Sequence, residues 1–395
     1  MLRHQPLKNS SKSDMLSVDL PSRKTGKNMY SHILNKKEFL LLNWCLHSTD
    51  SVSPCISNPN WQELLDFAKK QTIVGIYWQG IQRLGDVANK PSEDDVMEWM
   101  GEYTKIVRRN TKTDDAVAWL AKFMRSNDIG FFVFKGQTIA SYYPIPEMRT
   151  SGDVDFYVFK KDWDRAKSLL AKEVTITDDH SGQHLEFTKD GIPFEIHYHT
   201  AVFASGSKQR YWDELIECYF EEVLDHIVIN GVEVPTLPPT LNAIYLFVHI
   251  YHHFLKEGIA LRQFIDWMMF FEAKHEEIVV SELTTKLERL GLLRAFKAFG
   301  AVLTEVLGME TKFFPYSLTD NDKRYVNKIL AIVLRYGNFG KYGRKERQGG
   351  WIHSMETGLR SIRHVTQFFW LSPSENFLIL PKLISNSLKK NIATD

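Results

Sequence analysis

Three carboxylates, one lysine and one glycine are the residues of this sequence best placed to do chemistry. In "DVDFYVF", Asp153 and Asp155 occupy alternate positions of a run rich in strand formers. Successive strand residues face opposite sides, so Asp153, Asp155 and Tyr157 share one face while Val154, Phe156 and Val158 share the other. The two acids then have Cβ atoms roughly 6–7 Å apart, and anions that close repel unless a cation or proton sits between them. "IPFEIHYHT" repeats the division, with Ile192, Phe194, Ile196 and Tyr198 on one face and Glu195, His197 and His199 on the other. Carboxylate oxygens suit hard divalent cations, and a pair of such ions can activate an attacking hydroxyl and stabilise a leaving pyrophosphate. Upstream, "FFVFKGQTIASYY" reads as strand, then Lys135–Gly136, then helix. A glycine there lets the backbone approach a phosphate, the helix N-terminus favours anions, and Lys135 adds a point charge. Each motif alone has a plainer reading, a solvated edge for the acids and a tight turn for Lys135–Gly136. Their order along the chain selects the site.

These residues need a sheet to carry them, and the surrounding pattern supplies one. From about Ser31 to Ala121 the apolar spacing is helical: "KKEFLLLNWCLH", then "NWQELLDFAKKQTIVGIYWQGIQRL" opening at an Asn cap with Glu63 in capping-box reach, then "SEDDVMEWMGEYTKIVRRNTKTDDAVAWLAKFMRSN". Strand patterns are confined to 129–237, where Asp190–Gly191 and Asn230–Gly231 mark two-residue hairpin turns. From Pro238 onward the chain reads as all-helical, including a single run "SELTTKLERLGLLRAFKAFGAVLTEVLG". The expected fold is therefore α+β, a mixed sheet core flanked by helices. Its expected divisions are a disordered leader over 1–29, a helical segment over 30–128, the α+β core over 129–237 and an all-α domain over 238–395. Met15 and Met29 both precede the first clear helix and offer alternative starts to Met1.

The chain has 395 residues, 44% of them hydrophobic and 25% charged, as in ordinary globular proteins. Lys+Arg 49 against Asp+Glu 48 gives no bulk attraction to nucleic acid or anionic membrane. Three cysteines without a CxxC pair argue against a disulfide framework and fit a reducing compartment. With no apolar run of about 18 residues and no apolar stretch in the leader, the expected address is the cytoplasm. A basic loop with Lys341, Arg344, Lys345 and Arg347 reads as solvated, with a phosphate or RNA contact as its functional alternative.

The order of glycine turn, helix, DhD strand and later strand acid resembles that of the polymerase-β-like nucleotidyltransferase superfamily. More closely, "FKGQTIASYYPIPEMRTSGDVDFYV", "FEIHYHT" and "HHFLKEGIALRQFIDW" resemble an uncharacterised bacterial branch with a KG…YP…R…GDhDh…EhH pattern. The resemblance covers about residues 31–310. It implies that Asp153, Asp155 and Glu195 are catalytic and bind Mg²⁺ or Mn²⁺, two ions being expected. It also implies that Lys135, Gly136, Gln137, Thr138 and Arg149 bind the nucleotide. The wider superfamily has Ser directly after its motif glycine; here that place is Gln137, with Thr138 next and Lys135 expected to compensate. His197, His252 and Arg262 are expected behind the metal ligands or against the acceptor.

The resemblance makes the expected activity a metal-dependent transfer of NMP from an NTP, ATP among the candidates, to a hydroxyl or phosphate acceptor. A small molecule or sugar is the favoured acceptor, with tRNA or protein as the alternative of a toxin-like transferase. A catalytically silent nucleotide-binding module of the same fold is the alternative from another class.

Overall fold

The computed structural model describes residues 36–47, 59–84, 90–178, 184–218, 224–342 and 351–381. The leader expected over 1–29 and the Arg344, Lys345 and Arg347 part of the basic loop lie outside the described residues. Among the described residues four helices precede the sheet: α1 (Lys37–His47), α2 (Trp61–Gln71), α3 (Val74–Arg83) and α4 (Glu93–Ser126). The Asn60 side chain caps α2 by accepting the N–H of Glu63, so Glu63 serves through its backbone. The periodicity that reads as one helix is broken at Thr72, which sits in the left-handed region at φ 55° and separates α2 from α3. Helix α4 runs 34 residues, opened by a Ser92–Asp95 capping box, with acids in its first turn and Arg125 in its last, as the helix dipole favours.

The sheet follows. Strands β1 (Phe131–Phe134), β2 (Val154–Val158), β3 (Thr177–Asp178), β4 (His184–Lys189) and β5 (Ile192–His197) lie in the order β1-β2-β5-β4-β3. Among the described strands only β2 and β5 pair in parallel. Between β1 and β2 the expected helix shrinks to α5 (Gly136–Ala140), after which the chain turns through a 3₁₀ turn at Pro146–Met148. Helix α6 (Trp163–Leu170) follows β2, and α7 (Gly206–Glu217) follows β5. Both two-residue hairpin turns form where the sequence places them, with Asp190 and Gly191 at φ 53° and 76° joining β4 to β5. Asn230 and Gly231, at 48° and 72°, join β6 (Asp225–Ile229) to β7 (Val232–Thr236) in a separate two-stranded sheet. Positive φ at both central residues gives a turn whose twist matches that of the strands.

The remaining helices are α8 (Pro239–Lys256), α9 (Leu261–Lys274), α10 (Val280–Leu290), α11 (Leu293–Glu305), α12 (Asp320–Lys323), α13 (Val326–Tyr336) and α14 (Trp351–Gln367), with 373–381 helical at the end. The run expected as one helix divides into α10 and α11 at Gly291, whose φ of 69° ends α10 in a left-handed cap. The architecture is α+β: a mixed sheet flanked by helices, with helical stretches before and after it. Among the described residues no helix is long and apolar enough to cross a membrane.

Strand alternation divides the core in two. Val154, Phe156 and Val158 join Phe194 and Ile196 against Val117, Leu120, Ala121 and Met124 of α4. Phe132, Phe134 and Tyr157 point the other way, into the larger cluster built around α8, α9 and α11. Every residue of β2 is buried, so the face that carries Asp155 is covered by helices and is not a solvated edge.

Helix α3 fixes the loop that leads into β2. A Cβ at Gly75 would stand 2.4 Å from the carbonyl oxygen of Met148 and 2.8 Å from its Cα. Since the obstacle is backbone, Gly75→Ala should cost about 1–3 kcal/mol of overpacking despite the better helix propensity of Ala. A lowered denaturation midpoint together with reduced activity is the expected result. Unchanged values would show that the loop is not held there.

Candidate functional site

Residues 147–152 enter β2 under the control of α4. Asn110 Nδ2 donates to the carbonyls of Glu147 (3.3 Å) and Arg149 (2.9 Å). Arg109 Nη2 donates to that of Gly152 at 3.1 Å, and its Nη1 reaches Gly191 O at 2.9 Å. This delivers Asp153 just before the strand begins and Asp155 within it, register partner of Glu195 on β5 and of Phe134 on β1. Ligand oxygens of Asp153, Asp155 and Glu195 lie within 4.8 Å of one another. They face a cavity of about 200 Å³ whose walls include Lys135, Gly136, Arg149, His249, His253 and Arg262.

Asp155 is 3% exposed. Its Oδ1 accepts from Lys135 Nζ at 2.8 Å and from His197 Nε2 at 2.9 Å. Burial alone would raise its pKa, but the Lys135 ammonium and the His197 bond outweigh burial and hold the carboxyl well below the usual range. Both bonds fall on one oxygen, which leaves Oδ2 to another ligand. Asp153 behaves oppositely: the charge of Asp155, then burial, pushes its pKa up to about 6. The ammonium of Lys135 loses solvation by burial, yet Asp155 raises its pKa above the ordinary lysine value. His197 follows the same logic, with burial opposing its charge and bonds to Asp155 and Glu195 prevailing; its Nε2 lies 3.2 Å from Glu195 Oε2. Three carboxylates against one ammonium and one imidazole form a set of oxygen donors still short of positive charge, which fits a divalent cation.

The turn that presents Lys135 is strained. Lys135 sits at φ 59°, ψ −155°, a region almost confined to glycine, and Gly136 follows at φ 48°. A Cβ at Gly136 would meet Asp153 O at an ordinary 3.4 Å, so conformation and not space calls for glycine there. Gln137 and Thr138 depart from expectation. The Gln137 amide donates to Asp114 on α4, and the Thr138 hydroxyl donates to Lys135 O at 2.8 Å. Both side chains are buried in the turn's own scaffold, away from the cavity.

Arg149 lies at the cavity wall, but its Nε and Nη2 fork onto Asp266 at 2.8 and 3.0 Å. Arg262 donates from Nη1 to Asp266 Oδ2 at 3.2 Å and from Nε to the Thr72 hydroxyl at 3.2 Å. His252 does not reach the cavity. It packs on Phe203, with ring centroids 5.3 Å apart, and burial drives its pKa down to about 3. His249 and His253, one turn apart on the same face of α8, line the cavity instead, their rings 4.4 Å apart. Burial, and then Lys135, hold His249 neutral. His184 was not expected at the site. It is the register partner of His197, and with Glu195 and His197 it forms a second group of close ligand atoms. Counting outward from the Asp190–Gly191 turn, where partners across the hairpin sum to 381, finds it from sequence.

The chain matches the family described as uncharacterised nucleotidyltransferase over residues 57–308. No curated protein matches. Among solved structures, an antigenic nucleotidyltransferase-like protein from Paracoccidioides brasiliensis is similar at 16% identity and a TM-score of 0.31, over 51% of this chain and 96% of its own. The family match spans more than half of the chain and takes in the glycine turn, both aspartates and Glu195: the chain belongs to the uncharacterised nucleotidyltransferase family.

Proposed function

We propose that the protein transfers NMP from an NTP to a hydroxyl or phosphate of a small-molecule or sugar acceptor, releasing pyrophosphate. The observation that carries this reading is the convergence of Asp153, Asp155 and Glu195 on one cavity, beside the Lys135–Gly136 turn. Bound at these acids, Mg²⁺ or Mn²⁺, two ions in the expected arrangement, would stabilise phosphate charge and favour the ionised acceptor oxygen. Asp155, held ionised by Lys135 and His197, is a poor proton acceptor and serves as a ligand. Glu195, with a side chain 23% exposed at the cavity edge, takes the acceptor proton. The acceptor oxygen bonds to the α-phosphorus as the bond from that phosphorus to the bridging oxygen breaks. Lys135 and the backbone at Gly136 face the departing phosphates.

Pyrophosphate release, followed with a panel of NTPs and candidate sugars in Mg²⁺ and in chelator, tests the reading. Metal-dependent release with at least one pair is expected. Metal-dependent NTP binding without release under any pairing would leave a silent binding module.

A further inference from the structure

The part of the cavity wall where Arg149, Arg262 and Asp266 meet carries more positive charge than its own acid can match. Arg149 and Arg262 share the single carboxylate of Asp266, with side chains 4%, 13% and 9% exposed. Tyr143 adds a neutral hydroxyl to Asp266 at 2.7 Å. His249, on the same wall, is held neutral and adds no further positive charge. Within this group one cation is therefore left over in a place where water is scarce; Asp153 is the next acid whose charge reaches both guanidiniums, and the two guanidiniums work against each other. Burial, and then the charge of Arg149, lower the proton affinity of Arg262.

Hydrogen-bond capacity is left over as well. Arg149 spends Nε and Nη2 on Asp266, and its buried Nη1 has no partner among the described residues. Arg262 spends Nε on Thr72 and Nη1 on Asp266, leaving Nη2 uncommitted among the described residues. Both residues line the cavity. A structural staple needs one guanidinium for one carboxylate; the second guanidinium and the spare nitrogens match an anion with several acceptor oxygens.

We propose that Arg149 and Arg262, braced by Asp266, form a phosphate subsite on the helical wall of the cavity, separate from the oxygen cluster of Asp153, Asp155 and Glu195. Its occupant is either the terminal phosphate of the NTP or a phosphate carried by the acceptor. The choice of occupant rests on the transferase reading; the subsite itself does not.

The test uses the full chain in chelator, with inorganic phosphate as the probe and chloride at matched ionic strength as the control. Phosphate should bind and raise the melting temperature of the parent and of Asp153→Asn. Arg262→Gln should weaken that binding by about tenfold or more, the loss expected for a charge-assisted hydrogen bond. Without phosphate, Arg262→Gln should melt at or above the parent temperature, because Arg149 and Asp266 then form a balanced pair. Unchanged phosphate binding in Arg262→Gln overturns the proposal. So does a lower melting temperature with no phosphate effect in the parent, which is the behaviour of a staple.

Nucleotide binding with metal present then identifies the occupant. If Arg262→Gln weakens NTP but not NMP, and phosphate competes with NTP, the terminal phosphate fills the subsite. If NTP affinity is unchanged and phosphate binds alongside it, the acceptor's phosphate does. Phosphate binding that depends on Arg262, in a protein that binds no nucleotide, keeps the subsite and removes the transferase reading.

Discussion

Asp153→Asn should end nucleotidyl transfer while leaving the metal-free protein at least as stable as before. In the folded chain Asp155 pushes the Asp153 pKa from its ordinary 3.8 to about 6. A carboxyl whose pKa is raised on folding stabilises the fold below about pH 4 and loses that contribution as pH climbs through 6. At pH 7 the ionised Asp153 therefore opposes folding, and removing its charge should return on the order of 2 kcal/mol. Asp155→Asn should be equally inactive but should behave oppositely in stability. It strips the buried Lys135 ammonium and His197 of their shared counter-charge, a loss of about 3–5 kcal/mol for a broken buried pair. Denaturant midpoints at pH 7 in chelator, read beside pyrophosphate release, check both halves. Parental turnover in either variant would sink the metal-site assignment. Equal destabilisation by the two would sink the account of their charges.

The second large effect is expected at a residue with no assigned chemistry. Asp266 accepts from Tyr143, Arg149 and Arg262, and so ties the stretch after α5 and the loop before β2 to α9. Asp266→Asn leaves two buried guanidiniums facing each other without a counter-charge and should cost about 3–5 kcal/mol. The magnitude sets it apart from a surface ion pair, where a similar change costs about 0–1 kcal/mol. Phosphate at saturating concentration should restore part of the lost melting temperature, because it replaces the missing negative charge. A variant as stable as the parent would show that the Arg–Asp–Arg group is not buried as described.

Local signals in the sequence were legible where one dipeptide or one alternation decides the outcome. Asp190–Gly191 and Asn230–Gly231 define their hairpins, and the alternation through "DVDFYVF" and "FEIH" puts Asp155, Glu195 and His197 on one face. The parallel pairing of β2 with β5 was not legible, because residues 159–191, β3 and β4 among them, intervene. The helix breaks at Thr72 and Gly291 were hidden by apolar periodicity that continues on both sides of each. Side-chain direction within a short turn also escaped: Gln137 and Thr138 follow the glycine, yet Asp114 and the Lys135 carbonyl claim them. On α8 the spacing 249, 252, 253 brings three histidines together without saying which face meets the cavity. The packing of His252 on Phe203 decides that.

Helix α4 gives the molecule a property that its sequence pattern hides. The pattern changes character near Ile129, which invites cutting the chain there. Yet Arg109, Asn110 and Asp114, all upstream of that point, grip Gly152, Arg149 and Gln137 downstream of it. A fragment beginning at Ile129 would inherit all three carboxylates and none of the grip that aims them. Possession of the motif and possession of the site are thus separable, and a gene fusion that borrowed only the sheet would carry the first without the second.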